Sequence, residues 1–201
     1  MIELRPEVKQ IIEKHITLIE NEDWDTLFEK LQKEWIPQVT GKFAETLLSC
    51  GIDPLKTLTF IPEGYFLLSG ISKYNIPKNI KRICYKAFYA SDIEKMIIPS
   101  NVFDIDQYAF EACDFLTTFI AEEGLKVISD GAFYACDELV DVTLPKSLSV
   151  LGRDVFYGCS NLTEVKYNGT VNKWEKIRNH EFINEGNYIS KIICSDGEIN
   201  L

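Results

Sequence analysis

Histidine is nearly absent from this chain of 201 residues, where His15 and His180 are the only two. A metal site would have to draw on cysteine or carboxylate, yet no C-x-x-C pair or His-x-x-x-His spacing supplies a ligand framework. A Gly-rich phosphate loop and a G-x-S-x-G elbow are also missing, so phosphoryl transfer and serine hydrolysis have no starting point in the sequence. No apolar run approaches the length of a membrane span, and Met1 to Gln10, charged from Glu3 onward, lacks the long apolar centre of a leader. The expectation from that start is a cytoplasmic protein, with the N-x-T sequons at Asn161 and Asn168 read as chance matches. Basic charge is scarce as well. Twenty-one Lys and Arg face 31 Asp and Glu, a formal net charge of −10, which argues against general affinity for nucleic-acid phosphates or anionic lipid. Acidity serves solubility first and leaves room for a basic partner surface.

What the chain has is a period. Phe66, Phe88, Phe110, Phe133 and Phe156 are spaced by 22, 22, 23 and 23 residues, and each carries its neighbours with it. Three residues on from the last three lie Cys113, Cys136 and Cys159; six on, Leu116, Leu139 and Leu162; nine on, Phe119, Val142 and Val165. Five residues before four of them come Ile83, Ile105, Ile128 and Leu151, and eight before, Ile80, Val102, Leu125 and Leu148. Phase-locked apolar positions at a period in the twenties are the mark of a leucine-rich-repeat array, whose turns bury their inner residues only against one another. The cysteines then read as packing. Three share one repeat phase, with Ser91 at the same place one turn earlier, and a buried thiol there can donate weakly to a turn carbonyl.

The first fifty residues follow a helical period instead. Val8, Ile11, Ile12, His15, Leu18 and Ile19 form an apolar stripe after Arg5-Pro6. A second helix is expected from Asp23 as N-cap, burying Trp24, Leu27, Phe28, Leu31 and Trp35 before Pro37 stops it. A third is expected from about Thr40, burying Phe43, Leu47 and Leu48 and closing at Gly51 with Ile52 in a capping contact. Together they make a layer suited to covering the first solenoid turn. Leu58, Phe60 and Ile61 suggest an opening strand ended by Pro62, and further strands are expected near Tyr74 to Ile76, Met96 to Ile98, Phe119 to Ala121, Val142 to Leu144 and Val165 to Tyr167. The fold class is α+β: a solenoid with short parallel strands over residues 54–167, a helical N-terminal cap over 1–53 and a C-terminal capping segment over 168–201.

Residues Leu139 to Cys159, LVDVTLPKSLSVLGRDVFYGC, resemble the BspA-like leucine-rich repeats, whose pattern reads L-x-x-V-x-L-P followed by V-x-x-I-x-x-x-A-F-x-x-C. Tyr167-Asn-Gly-Thr170 with Trp174 and Ile177, and Cys194-Ser-Asp-Gly197, resemble the closing module that follows such arrays. The resemblance covers about residues 54–201 and implies a repeat scaffold associated with adhesion and protein recognition.

No residue pattern points to catalysis, a cofactor or a metal. His15 sits on the apolar stripe and reads as packing; His180 with Cys194 offers the minimum of a thiol and base pair, but no third group orients it. Cys50 at a helix end and Cys84 in a turn read as filler. The strand face is the better candidate. Alternation along each strand turns outward Lys73 with Asn75, Lys95 with Ile97, Thr118 with Ile120, Asp141 with Thr143, and Glu164 with Lys166. A second row, Tyr89, Glu111, Tyr134 and Tyr157, follows each phenylalanine and suits either an interface or a half-exposed turn. Five strands about 5 Å apart and about 10 Å wide offer roughly 250 Å², below the roughly 800 Å² per partner of a standard interface, so loops and caps must contribute. The expected function is a non-enzymatic protein-binding module inside the cell, with a protein partner and neither direct nucleic-acid nor membrane binding. Two alternatives are an inhibitor or decoy from a phage or mobile element, aimed at a basic nucleic-acid enzyme such as a defence nuclease, and an adhesin-type surface protein without its export signal.

Overall fold

The computed structural model describes residues 6–34 and 37–201; Arg5 and Trp35 lie outside them, as do the side chains of Val8 and Ile11. The repeats wind into a solenoid that carries two sheets. Phe60–Ile61 (β1), Arg82–Ile83 (β2), Asp104–Ile105 (β4), Val127–Ile128 (β6) and Val150–Leu151 (β8) pair in parallel as a five-stranded ladder of two-residue strands. Lys95–Ile98 (β3), Thr118–Ala121 (β5), Asp141–Leu144 (β7) and Glu164–Tyr167 (β9) form the longer parallel sheet, in repeat register. That sheet continues through Lys191–Cys194 (β10) and ends on an antiparallel strand, Gly197–Asn200 (β11). The expected strands at 96–98, 119–121, 142–144 and 165–167 are therefore present. The expected strand at Tyr74 to Ile76 is not. Only fifteen residues separate Pro62 from Pro77, and Tyr74 is drawn toward the N-terminal cap instead, its hydroxyl 3.2 Å from both carboxylate oxygens of Asp53 and its ring 4.8 Å from Phe66.

A third ladder runs along the phenylalanine corner, where neither sheet reaches. The N–H groups of Phe66, Phe88, Phe110 and Phe133 donate to Ala87, Ala109, Ala132 and Val155 of the next turn at 2.7 to 2.9 Å. Two residues further along, Leu68, Ala90, Ala112 and Ala135 do the same, and each of them has positive φ, between 49° and 56°. Left-handed backbone is unfavourable for residues with a Cβ, by about 1–2 kcal/mol each. Here it keeps every second N–H pointing along the stack, where it finds a carbonyl.

Inside these ladders the phenylalanines stack, with centroid separations of 4.8, 4.9, 5.1 and 5.5 Å from Phe66 to Phe156. Beside them the cysteine ladder is fully buried: the Cys113, Cys136 and Cys159 thiols donate to the carbonyls of Phe88, Phe110 and Phe133 at 3.0 to 3.1 Å. The Ser91 hydroxyl lies 3.7 Å from the Cys113 sulfur and continues the column into the preceding turn. One hydrophobic core runs unbroken from Trp24 to Cys194.

Among the described residues the N-terminal layer has four helices, Pro6–Lys14 (α1), Ile16–Glu20 (α2), Trp24–Glu34 (α3) and Pro37–Ser49 (α4). The first stripe is thus split at His15, which is buried with φ −119° and ψ 20° and interrupts the helix. Pro37 opens the last helix, three residues earlier than expected, because a first-turn residue needs no N–H partner. Its far end matches expectation: Gly51 at φ 80° donates to Leu48 and Ile52 donates to Leu47, the paired hydrogen bonds of a glycine-closed helix. The layer docks through Phe28, whose ring lies 4.9 Å from Tyr65, itself 4.6 Å from Phe66. Gly41 makes the approach close enough, since a Cβ there would meet the Leu67 carbonyl oxygen at 1.9 Å.

The C-terminal segment closes all three ladders. Strands β10 and β11 cover the long sheet, Arg178 bridges Val150 at the end of the short one, and Gly158 donates to the Gly186 carbonyl at the phenylalanine corner. Trp174, Ile177 and Ile183 supply the buried side chains that seal the last turn.

Phe133 is held between Phe110 and Phe156 and edge-on to Phe119 at 4.4 Å, so Phe133→Ala is expected to cost about 3–5 kcal/mol, read as a lowered urea midpoint. Gly41→Ala is expected to loosen the helical layer selectively: hydrogen exchange should accelerate in α3 and α4 before it does in the middle repeats. The three ladder thiols should resist alkylation in native protein and react fully in urea, because burial and the carbonyl hydrogen bonds protect them; mass spectrometry of alkylated samples reads this directly.

Candidate partner-binding face

Side chains alternate strictly along β3, β5, β7 and β9. Met96, Ile98, Phe119, Ala121, Val142, Leu144, Val165 and Tyr167 are buried, which leaves the other residue of each pair outward. Lys95, Ile97, Glu164 and Lys166 are exposed, while Thr118, Ile120, Asp141 and Thr143 are half-buried by their neighbours in the sheet. Strand pairing sets these into two straight rows. Ile97, Ile120, Thr143 and Lys166 lie in register, and Lys95, Thr118 and Asp141 form the parallel row leading to Glu164. Lys73 and Asn75 are exposed but stand outside the rows, since their segment does not join the sheet.

The sequence pattern stops one strand too soon. Lys191 pairs with Glu164, and Ile193 with Lys166, so both rows continue onto β10. Lys191-Ile-Ile-Cys194 repeats the alternation of Lys95-Met-Ile-Ile98, but it follows its predecessor by 27 residues and so escapes a search at 22 or 23.

The face is graded along its length. At the β3 end Ile97 is 47% exposed beside Ile120, with Phe115 and Val140 exposed just before β5 and β7. Toward the C-terminal end each lysine meets acids: Lys166 lies 2.9 Å from Asp141, and Lys191 lies 3.9 Å from Glu164 and 3.3 Å from Glu198. Exposed pairs of this kind are worth about 0–1 kcal/mol, so a partner can displace them cheaply. The tyrosine row stacks at one step, Tyr134 on Tyr157 at 5.0 Å, whereas Tyr89 faces the Lys86 ammonium at 4.4 Å and Glu111 pairs with that lysine at 3.2 Å.

The residues weighed for chemistry are placed for structure. His180 Nδ1 lies 2.9 Å from the Ile177 carbonyl, which ties it to the C-terminal segment, and His15 is buried in the helical layer. Burial pushes the Cys84 thiol up to about 11, with Asp106, Asp104 and Glu63 adding to it and Arg82 opposing. Burial, then Asp196, raises Cys194, and burial with the adjoining Cys113 and Cys159 raises Cys136 well above its ordinary value. These thiols stay protonated near neutral pH and are poor nucleophiles. Among the described residues no group of three or more His, Cys, Asp or Glu is arranged to hold a metal ion. The fold is that of a stacked repeat scaffold.

Comparison with known proteins adds the following. No curated protein sequence matches the chain. Among solved structures, the pneumococcal vaccine antigen PcpA superposes with a TM-score of 0.51 at 24% identity, over 56% of this chain and 29% of its own. A leucine-rich repeat protein from Eubacterium ventriosum gives 0.51 at 20% identity, over 69% of this chain and 39% of its own. Another from Bacteroides capillosus gives 0.42 at 30% identity, over 45% of this chain and 64% of its own. The chain thus spans less than two thirds of the length of each. The cytoplasmic expectation is corrected by this comparison: it rested on the composition of Met1 to Gln10 and the lack of a long apolar run, and the architecture is shared with a pneumococcal vaccine antigen, so it is no mark of a cytoplasmic protein. The family model for the BspA type leucine rich repeat region matches in six copies over residues 49–196, in agreement with the ladders described above, and the chain belongs to that family.

Proposed function

We propose that the chain is an adhesin-type binding module of a bacterial surface protein, with the graded sheet face as the centre of its contact with a protein partner. Leucine-rich-repeat solenoids are protein-interaction scaffolds in general. The observation that carries the finer reading is the pair of outward rows, in which Lys95, Ile97, Thr118, Ile120, Asp141, Thr143, Glu164 and Lys166 stand at strand spacing on a rigid support. Lys73 and Asn75 belong to the same contact only as loop residues beyond its edge.

Six strands about 4.8 Å apart and about 13 Å long provide roughly 370 Å², still well under the roughly 800 Å² that one partner contributes to a standard interface. The remainder comes from the adjoining loops, where Phe115 and Val140 are exposed, and from the helical cap over 1–53 and the capping segment over 168–201 flanking the array. Kinship with the vaccine antigen supports placing this contact outside the cell.

The test is binding of the purified chain to immobilised extracellular matrix proteins, with soluble cytosolic extract as the comparison surface. Saturable binding to matrix protein is expected. Ile97→Asp with Ile120→Asp should leave the circular dichroism spectrum unchanged and weaken that binding by about 2 kcal/mol or more, as loss of an interface hot spot does. Unchanged affinity in the folded double variant would move the contact to the loops or caps.

A further inference from the structure

In a chain dominated by acids, one surface gathers unpaired positive charge. A cleft of about 210 Å³ opens where the C-terminal segment meets the last repeat, lined by Lys146, Lys173 and Lys176 together with Leu148, Ile177 and Tyr167. None of the three ammonium groups takes part in an ion pair among the described residues, whereas Lys42, Lys86, Lys166 and Lys191 each meet a carboxylate. From this we infer that the cleft binds a compact tetrahedral oxyanion, the phosphate or sulfate ester of a small head group.

The site is built on fixed elements. The short helix Val171–Trp174 (α5) is capped by Thr170, whose side-chain oxygen accepts from the Lys173 N–H at 3.3 Å. It is anchored by Trp174, buried and edge-on to Tyr167 at 5.3 Å. Lys173 and Lys176 therefore leave a backbone that does not need to move. Lys146 comes from the turn after β7, where its N–H donates to Glu123 at 3.2 Å. That carboxylate is engaged with the turn it holds, as is Asp196, which accepts from the Val171 N–H at 2.8 Å at the start of α5, and Glu175 is exposed between the two lysines.

The donor set indicates the class of ligand. The guanidinium fork of arginine matches carboxylate and phosphate alike, whereas lysine binds phosphate as a point charge, so three separate lysines suit an oxyanion approached from several sides. The volume decides between a head group and a whole ligand, since pockets for drug-sized molecules run to about 300–1,000 Å³. Leu148 and Ile177, both nearly buried, form an apolar floor beneath the carbon next to the ester oxygen. A long polyanion is disfavoured by the net charge of −10 surrounding the cleft. The site is separate from the sheet face, and its test does not depend on what that face binds.

The experiment is an NMR titration of the full chain with sodium phosphate, sodium sulfate and glucose 6-phosphate at constant ionic strength held with sodium chloride. Saturable shifts are expected at the amides of residues 146–149 and 173–177, with the ester binding several-fold more tightly than the free ions. Lys146→Gln with Lys176→Gln should weaken ester binding at least tenfold while the remaining spectrum reports an intact fold, and Lys78→Gln should leave it unchanged. Shifts that fail to saturate, or that spread over lysines throughout the chain, would overturn the site. Equal affinity for ester and free ion would overturn the assignment to an ester.

Discussion

The pitch of the phenylalanine stack governs this molecule. Rings separated by 4.8 to 5.5 Å sit at close to the spacing of hydrogen-bonded strands, so aromatic packing and two parallel sheets can share one axis without strain between them. The corner hydrogen bonds between successive turns then fall at the same interval. The regular repeats differ by only a single residue, and it is taken up between the phenylalanine and the strand, eight residues from Phe88 to Met96 against nine from Phe110 to Phe119, so that the ladders stay in register.

A stack of this kind has two open ends, and the chain treats them differently. At the N-terminal end a helical layer covers the first turn with side chains, Phe28 against Tyr65, and with the close approach of Gly41 to Leu67. At the C-terminal end the cover is mostly backbone, since β10 and β11, Arg178 and Gly186 each extend a ladder. Regular repeats present uniform rows; the ends, where regularity breaks, carry the individual surfaces. The lysine cleft lies at such a break, and so does the continuation of the sheet face onto Lys191 and Ile193.

The same uniformity explains why the cysteines are chemically quiet. A column of thiols repeats because one small apolar group fits one place in every turn, and each sulfur has a carbonyl of the preceding turn within reach. Burial raises the pKa of the Cys136 thiol and so keeps it protonated, the opposite of what a nucleophile requires. That conclusion does not depend on a reducing compartment.

By itself the sequence determined the repeat, its register and which side of each long-sheet strand from β3 to β9 faces outward. It could do so because a solenoid turns tertiary contacts into neighbour contacts at a fixed offset, so that Phe110 meeting Phe133 is visible as a spacing. Even the glycine-closed end of α4 was local enough to read. Tertiary structure alone decided the rest. Ile83, Ile105 and Ile128 are plain as apolar positions, but that they pair as strands of a second sheet depends on the turns being stacked. The positive φ values at Leu68, Ala90, Ala112 and Ala135 carry no glycine to announce them, because they are stabilised by hydrogen bonds to another turn. Tyr74 leaves the strand for Asp53, and Lys146 comes to line one cleft with Lys173 and Lys176, although these segments share no common period. Where the period ends, only folding determines which residues meet.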